Sequence, residues 1–318
     1  MPNATVVPAG RTPAARGGRF RRLQFVWKAL RRQRVPLAAL AVLMALGAGS
    51  AFAPTIFPRD PNAMTGDTLG PVSGAHPFGA DYLGRDVLTR TASGIEVSVV
   101  AGVAVAAIAM SAGLACGLVA GYYGGWIEHL LMRTADALLI LPGFFLALIV
   151  AFLFGGRLST VIILLGLTGW PQIARIARAE VLSLKSTEFV ESARAIGASN
   201  RRIVFREILP NALPPVLALM ALLMSYGILS EASLSFLGVG DPNVISLGGM
   251  LSNGLQYATT AWWVPTFPGA AIFVLVLLLN IVGDGLSVAL SPHARQTGVA
   301  IPSDGSRSVH NRLQSSTE

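Results

Sequence analysis

Six long apolar segments constrain the fold of this chain more than any other feature of its sequence. A helix needs ~20 mostly apolar residues to cross a ~30 Å hydrocarbon core, and each segment approaches or exceeds that length. The segments cover residues 35–57, 93–121, 130–154, 158–173, 213–237 and 268–290. Only 13% of the residues are charged, about half the share that is typical of a soluble domain. The sequence therefore predicts an all-α membrane protein with six transmembrane helices.

The lysines and arginines predict the orientation of these helices, because cations concentrate in the cytoplasmic loops of membrane proteins. If the loops alternate between two faces, 20 of the 24 cations lie on one face, chiefly in the N-terminal tail and between the fourth and fifth spans. We therefore expect a multi-pass protein of the cytoplasmic membrane with both termini in the cytoplasm. The same bias explains the net charge of +8 without any nucleic acid.

The spans divide the chain into four regions. Residues 1–34 form a basic cytoplasmic tail, and residues 35–92 hold the first transmembrane helix and an extracytoplasmic loop. Residues 93–293 form a core of five helices that includes a long cytoplasmic loop at 180–212. Residues 294–318 form a second cytoplasmic tail.

Small residues and one proline predict how the spans pack. Gly113, Gly117 and Gly121 recur at four-residue spacing on one face of the second span, and in lipid such a stripe lets another helix approach closely. We expect this stripe to serve internal helix packing. Pro142 interrupts the third span, where a helix tolerates proline only if its neighbours satisfy the freed carbonyl. The sequence therefore predicts a tightly packed bundle with a kinked third helix.

Four acidic side chains lie in or near the spans, and each costs about 2.5–3.5 kcal/mol at a helix centre on insertion scales. They are Glu96, Asp136, Glu231 and Asp284. Asp136 is expected to pair with Arg133 on its own helix, and Glu231 is expected at the water-accessible outer end of its span. These peripheral positions favour a role as charges or ion pairs at the membrane–water interface. The alternative is an ion-coupled secondary transporter or channel that uses the four carboxylates as ligands.

The sequence lacks the motifs of nucleotide hydrolysis and metal-dependent catalysis. A P-loop needs Gly-Lys followed by Ser or Thr, but the two lysines, Lys28 and Lys185, follow tryptophan and leucine. Neither His-Glu-x-x-His nor Gly-x-Ser-x-Gly occurs, and Cys116 is the single cysteine. We therefore expect no enzyme activity, cofactor or metal site on this chain.

The long cytoplasmic loop predicts two short amphipathic helices. Thr187 can cap the first helix, and Gly197 ends it. Ser199 or Asn200 caps a second helix over residues 201–209, which Pro210 stops. Two helices joined at a glycine make an L-shaped projection beneath the bilayer. It is either a solvated basic loop near anionic lipid or a knob that fits a groove on a cytosolic partner.

Six residues of this loop form a spaced pattern: Glu191, Ser192, Ala193, Gly197, Leu209 and Pro210. The pattern resembles the EAA motif of binding-protein-dependent ABC importer permeases. Ser192 replaces the second alanine of that motif, and serine is small enough for docking. In that family the loop forms a coupling helix that docks into an ATPase subunit, so the resemblance implies ATPase docking for these residues.

Further stretches narrow the resemblance to the C-type permease of dipeptide and oligopeptide importers, over residues 27–293. They include residues 76–88 ahead of the second span and residues 231–238 at the end of the fifth. The sixth span departs from the family, which usually has charged residues where Ser287, Val288 and Ser291 stand. The resemblance implies a type I importer permease of MetI-like architecture for di- or oligopeptides, with nickel or another small polar solute as the alternative cargo.

The resemblance also implies partners for a non-catalytic subunit in the lipid bilayer. A homologous second permease would complete the translocation path, and two cytosolic ABC ATPases would bind ATP and Mg. An extracytoplasmic binding protein would deliver substrate to the loops 58–91 and 238–265. The second of these loops carries Trp262 and Trp263 where an interfacial aromatic belt is expected.

Overall fold

The structure, a computed structural model, describes residues 33–52, 55, 60–140 and 142–290. The predicted all-α fold is confirmed, and no β-strand forms within these ranges. In chain order the helices are α1 (Arg34–Ala51), α2 (Val87–Tyr123), α3 (Gly125–Ile140), α4 (Gly143–Phe154), α5 (Leu158–Lys185), α6 (Glu188–Ala195), α7 (Asn200–Arg202), a π-turn (Ile203–Ile208), α8 (Leu209–Leu217), α9 (Met220–Phe236), α10 (Leu247–Leu255) and α11 (Trp263–Leu290). The predicted tails, 1–34 and 294–318, lie outside the described residues except for Gln33 and Arg34.

Within the described ranges, four helices are individually long and apolar enough to cross a membrane. These are α1, α2, α5 and α11, whose most apolar 18-residue windows have mean hydropathies between 1.4 and 2.3. Two further pairs qualify if each pair is one bent span. They are α3 with α4, bent by 74°, and the segment from α7 to α8 with α9, bent by 49°. Counting each pair once gives six spans, the predicted number.

Proline accounts for the breaks in the third and fifth spans. Pro142 has an extended backbone ahead of α4, and its ring and missing N–H exclude a helical bond there. Pro214 and Pro215 lie inside α8, so two consecutive backbone donors are missing about one turn before the bend that precedes α9. The interruption predicted at Pro142 is in the right place, but the break in the fifth span was not predicted.

Helix α2 runs the full depth of the molecule. It begins after Asp86, whose side chain accepts a hydrogen bond from the Thr89 N–H at 2.9 Å, and it ends at Gly124, where φ is +69°. Its 37 residues extend ~55 Å at ~1.5 Å per residue. The helix is therefore longer than the ~30 Å hydrocarbon core that it crosses.

The glycine stripe on α2 lies directly against α5. A Cβ atom added at Gly117 would be 2.5 Å from the Ala177 Cβ and 2.6 Å from the Ala174 carbonyl oxygen. Cβ atoms at Gly113 and Gly121 would meet α5 at similarly short distances. Since backbone atoms cannot yield as a flexible side chain can, only glycine permits this approach. The close contact maximises dispersion forces in lipid and makes α2 and α5 the spine of the bundle.

Candidate functional site

Residues 187–210 form an elbow at the C-terminal ends of α2 and α5. Its first arm, α6, follows Thr187, whose backbone is extended (φ −86°, ψ 148°) as an N-cap requires. Thr187 is therefore the N-cap residue, as predicted, but its hydroxyl donates to the Leu184 carbonyl at 2.6 Å instead of accepting from the first turn. Glu188 and Glu191 lie in the first turn, where carboxylates interact favourably with the helix dipole.

Gly197 forms the corner of the elbow. Its φ is +76°, a left-handed conformation that costs ordinary L-residues about 1–2 kcal/mol. Its N–H donates to the Arg194 carbonyl at 3.0 Å, and the Ala198 N–H donates to the Ala193 carbonyl at 3.0 Å. This pair of bonds is a Schellman motif. A Cβ atom at position 197 would meet nothing within 4 Å, so it is the backbone conformation alone that requires glycine.

The second arm begins at the predicted cap and continues past the predicted stop. The Ser199 hydroxyl accepts a backbone N–H from three residues further on, at 3.4 Å. The chain then remains helical through the π-turn Ile203–Ile208 into α8, so the prediction that Pro210 stops this helix was wrong. The Leu209 N–H donates to the Val204 carbonyl, five residues back. This widened turn accommodates Pro210, which has no N–H to donate.

The base of the elbow is buried against the ends of α2 and α5. One apolar cluster joins the three elements and contains Leu118, Tyr122, Val181, Val190, Ile203, Ile208 and Ala212. The Tyr122 hydroxyl donates to Asn200 Oδ1 at 2.8 Å, and Lys185 Nζ donates to the Tyr122 carbonyl at 2.6 Å. These contacts tie both arms of the elbow to the spine of the bundle.

The tip of the elbow exposes large apolar side chains among charged ones. Ile196 is 79% exposed, and Phe189 and Phe205 are also exposed. Glu191 is exposed, and none of the ion pairs formed between described residues involves it. Apolar side chains grouped on a polar surface are typical of a surface that binds a partner.

The six residues that the sequence assigned to ATPase docking fall into two groups. Glu191, Ser192 and Gly197 are exposed, whereas Ala193, Leu209 and Pro210 are partly buried. Ala193 and Leu209 pack against the buried cluster at the base. The structure therefore places the first group at the tip and at the corner, and the second group towards the base.

Sequence reasoning did not predict the contacts that three residues make at the base of the elbow: Tyr122, Lys185 and Asn200. Tyr122 directly follows the glycine stripe, and a tyrosine at the end of a span often places its hydroxyl at the polar boundary. That position was the one available signal. Lys185 lies 63 positions from Tyr122 in the sequence, and Asn200 lies 78 positions from it. No local sequence pattern predicts contacts over such separations.

Two ion pairs join α3 to α5 beside the elbow. Arg175 pairs with Asp136, and Arg178 Nε donates to Glu128 Oε1 at 2.6 Å. The predicted pairing of Asp136 with Arg133 on the same helix was therefore wrong. Because α3 packs on α5, Arg175 reaches the Asp136 carboxylate although the two residues are 39 positions apart in the sequence. Sequence spacing does not show such a contact.

A cap covers the opposite end of α2 and consists of residues 60–86 and 241–262. Phe78 stacks on Phe267 at the start of α11, with ring centroids 4.0 Å apart. Tyr82 similarly stacks on Tyr257 at 5.5 Å. The two loops that were predicted to lie on one face of the membrane therefore meet in a single folded unit.

Trp263 is a structural anchor of the cap. Its indole Nε1 donates to the Ala80 carbonyl at 3.2 Å, and the side chain is buried. Its predicted place in an interfacial belt was therefore wrong, because the cap folds over it. Trp262 remains exposed.

Asp86 connects the cap to α2. Its Oδ1 accepts from the Thr89 N–H and from the Thr89 hydroxyl, each at 2.9 Å, and His76 Nδ1 donates to its Oδ2 at 2.7 Å. Burial opposes ionisation of this carboxyl, but the hydrogen bonds outweigh it and lower the pKa of Asp86 from its ordinary value of 3.8. An ionised Asp86 therefore holds the cap and the first turn of α2 together.

The four acidic residues singled out from the sequence differ in burial. Glu96, Asp136 and Asp284 are exposed. Glu231 is only 3% exposed, so the expectation that water reaches it was wrong. The side chain lies beside Ser98 of α2, between two packed helices.

A bundle of apolar spans with an anchored elbow at one end and a folded cap at the other is the architecture of a multi-pass membrane protein. The family described as binding-protein-dependent transport system inner membrane components matches residues 113–296, more than half of the chain. The chain belongs to this family, and it is a multi-pass protein of the inner membrane. Family membership decides against the ion-coupled transporter or channel.

Individual relatives agree with the family. The chain is 39% identical over 271 residues to a Brucella abortus protein named as a peptide transport system permease, which covers 85% of this chain and 91% of that protein. It is 40% identical over 270 residues to the glutathione transport system permease GsiD of Escherichia coli O6:H1, with coverage of 84% and 89%.

A solved structure supports the fold. The inward-facing MetNI methionine ABC transporter superposes with a TM-score of 0.51 and 21% identity, over 62% of this chain and 94% of that one. The predicted type I ABC importer permease with a MetI-like fold is confirmed.

Proposed function

We propose that this chain is a permease subunit of an ATP-driven importer whose cargo is di- or oligopeptides. The proposal is supported by relatives of nearly full length that are named for the transport of peptides and of glutathione, which is itself a tripeptide. Nickel or another small polar solute is the alternative cargo. A homologous second permease completes the translocation path.

The elbow faces the cytoplasm in this proposal, and both termini lie on the same side. The support is the charge distribution, because Arg194, Arg201, Arg202 and Arg206 are all exposed on the elbow and cations favour the cytoplasmic face. The cap then faces outwards and receives an extracytoplasmic binding protein. Its position over the end of α2 suits delivery of substrate between the spans.

The elbow is the observation that carries the proposal. Two cytosolic ATPases, which bind ATP and Mg, receive its tip. Ile196 and Phe189 supply apolar contact there, and Glu191 supplies a charge. When the ATPases close, the tip moves, and the buried base transmits the movement through Tyr122 and Lys185 to α2 and α5. The spans then alternate as rigid bodies between outward and inward access, and this chain contributes no catalytic residue.

Reconstitution with co-expressed partners tests the proposal. We expect the ATPases to co-purify with the chain in gentle detergent, and we expect peptide with its binding protein to stimulate ATP hydrolysis in proteoliposomes. Ile196→Glu should abolish ATPase capture. Val72→Glu, at an exposed position of the cap, is the matched control and should not.

The outcomes distinguish an error in the proposed cargo from an error in the proposed class of transporter. Stimulation by nickel but not by di- or tripeptides would replace the cargo and keep the mechanism. Uptake by the chain alone under an ion gradient, without ATP, would contradict the mechanism itself.

A further inference from the structure

Two buried oxygen atoms lie next to each other between α9 and α2, and neither has a hydrogen-bond partner among the described residues. They are Glu231 Oε2 and Ser98 Oγ. Glu231 is 3% exposed and Ser98 has no exposed surface. The two side chains are neighbours across the helix interface. Buried polar atoms are rarely left unpaired, so this pair needs an explanation.

Among the described residues that line the pocket beside Glu231, some supply hydroxyls and none supplies a cation. Its Oε1 accepts from the Ser235 hydroxyl at 2.9 Å. The small pocket beside it is lined by Ser235, Asp241 and Ser246 together with apolar and glycine residues, and no lysine, arginine or histidine lines it. Asp241, the other acidic residue of the lining, accepts from the backbone N–H groups of Leu158 and Asn243.

An ionised carboxylate at this position would be buried without a counter-ion, which is among the most costly arrangements in a protein interior. A metal ion is not the evident counter-charge, because no group of three potential acidic, histidine or cysteine ligands occurs in the described part of the chain. The Ser98 hydroxyl can donate to an ionised Oε2, but it carries no charge to balance the carboxylate, so a proton is the remaining counter-charge that fits between the two oxygens.

We propose that Glu231 is a neutral carboxylic acid whose O–H group donates to Ser98 Oγ and thereby fastens α9 to α2. One proton satisfies both unpartnered atoms, since Oε2 becomes the donor and Ser98 Oγ the acceptor. The bond from Ser235 to Oε1 is retained, because the carbonyl oxygen of the acid still accepts.

The position of this bond gives it a structural role at the cap. Directly beyond it, Gly240 folds back on Ser235, where an added Cβ would lie 2.3 Å from the serine Oγ. Gly248 of α10 packs against the Ala232 carbonyl just as closely. Glu231 is therefore a positioning residue, which fixes the end of α9 from which the loop to α10 departs.

Infrared difference spectroscopy on the full chain in nanodiscs tests the protonation state directly. A protonated carboxyl has a carbonyl stretch well above that of a carboxylate, and this band shifts in D2O. At neutral pH we expect such a band in the wild type and its loss in Glu231→Gln. The band should persist in Glu96→Gln, the matched control, because Glu96 is exposed on α2. Ser98→Ala should move the band to higher wavenumber, because the acceptor is lost.

Thermal unfolding in detergent supplies a second readout. Glu231→Gln keeps a donor towards Ser98 and should unfold close to the wild type, whereas Glu231→Ala should lower the midpoint by about 4–8 °C. The proposal is overturned if no protonated band is present, if the band survives in Glu231→Gln, or if Na⁺ or Ca²⁺ raises the midpoint of the wild type but not of Glu231→Gln. That last result would replace the proton by a bound cation. Neither measurement involves transport, so failure here leaves the proposed import function standing.

Discussion

The corner of the elbow offers the most informative perturbation of the proposed coupling. Gly197→Val places a β-branched residue at φ +76°, a left-handed conformation that costs an ordinary L-residue about 1–2 kcal/mol. The added Cβ meets nothing within 4 Å, so no steric clash increases this figure. The whole cost therefore falls on the backbone geometry that joins the two arms.

That cost converts into a measurable loss of affinity. A free-energy change of 1–2 kcal/mol is about a 5–30-fold change in an equilibrium, and a partner's apparent affinity falls with the fraction of the binding-competent conformation. We expect Gly197→Val to bind the ATPases up to about 5–30-fold more weakly and to import less substrate per ATP hydrolysed. Gly197→Asn should lose less, because asparagine tolerates the left-handed region. Titration of ATPase onto the permease in nanodiscs measures the affinity.

Gly238 provides a matched control at the opposite end of the molecule. Its φ is +79°, an added Cβ would again meet nothing within 4 Å, and it closes a second Schellman motif after α9. Gly238→Val should therefore suffer the same backbone cost and keep wild-type ATPase affinity. Equal losses at both positions would indicate general destabilisation, and wild-type affinity in Gly197→Val would remove the corner from the coupling mechanism.

Three further predictions concern the spine and the cap. Gly117→Ala should lower the free energy of unfolding by about 1–3 kcal/mol through overpacking, because the new Cβ would lie 2.5 Å from that of Ala177, and thermal unfolding in detergent measures it. The pKa of Asp86 is lower in the folded state than its ordinary value of 3.8. The ionised carboxylate therefore stabilises the fold above pH 3.8, and this stabilisation is lost as the pH falls through the folded-state pKa. The acid limb of a plot of stability against pH should be flatter in Asp86→Asn. Trp263→Phe removes the indole bond to the cap, should cost about 1 kcal/mol, and should speed limited proteolysis within residues 60–86.

Each of these predictions has a contradicting result. Gly47 has nothing within 4 Å of an added Cβ and lies inside α1, so Gly47→Ala should stabilise by about 0.5–1 kcal/mol; equal effects at positions 47 and 117 would refute the packing argument. An unchanged acid limb in Asp86→Asn would show that other carboxyls control acid unfolding. Proteolysis at the wild-type rate in Trp263→Phe would show that the ring, not its N–H, holds the cap.

Local signals in the sequence predicted the elbow well. The end of α6 at Gly197 and the cap at Ser199 follow from backbone preferences that act over a few residues, and both are present in the structure. Pro210 failed as a stop signal because the π-turn before it removes the clash that proline normally causes. Thr187 has the backbone of an N-cap, but its hydroxyl turns back to the preceding helix.

Long-range contacts account for the remaining differences. Asp136 pairs with Arg175 across two helices, and Glu231 is buried because α9 packs on α2. Trp263 is covered by the cap. Its indole bonds to Ala80, which lies 183 residues earlier in the sequence. Hydropathy places a residue along the membrane normal but does not show which helix faces it, so these partners could not be predicted from one sequence.

Site-directed cross-linking tests the central claim most directly. Cys116 is the single cysteine, so Cys116→Ser gives a cysteine-free background in which one reporter can be placed at the tip (Ile196→Cys) or on the cap (Val72→Cys). With a short bifunctional thiol reagent and ATPases that carry a surface cysteine, position 196 should link to an ATPase subunit and position 72 should not. Failure of position 196 to link in an intact, ATP-hydrolysing complex would contradict the role of the elbow.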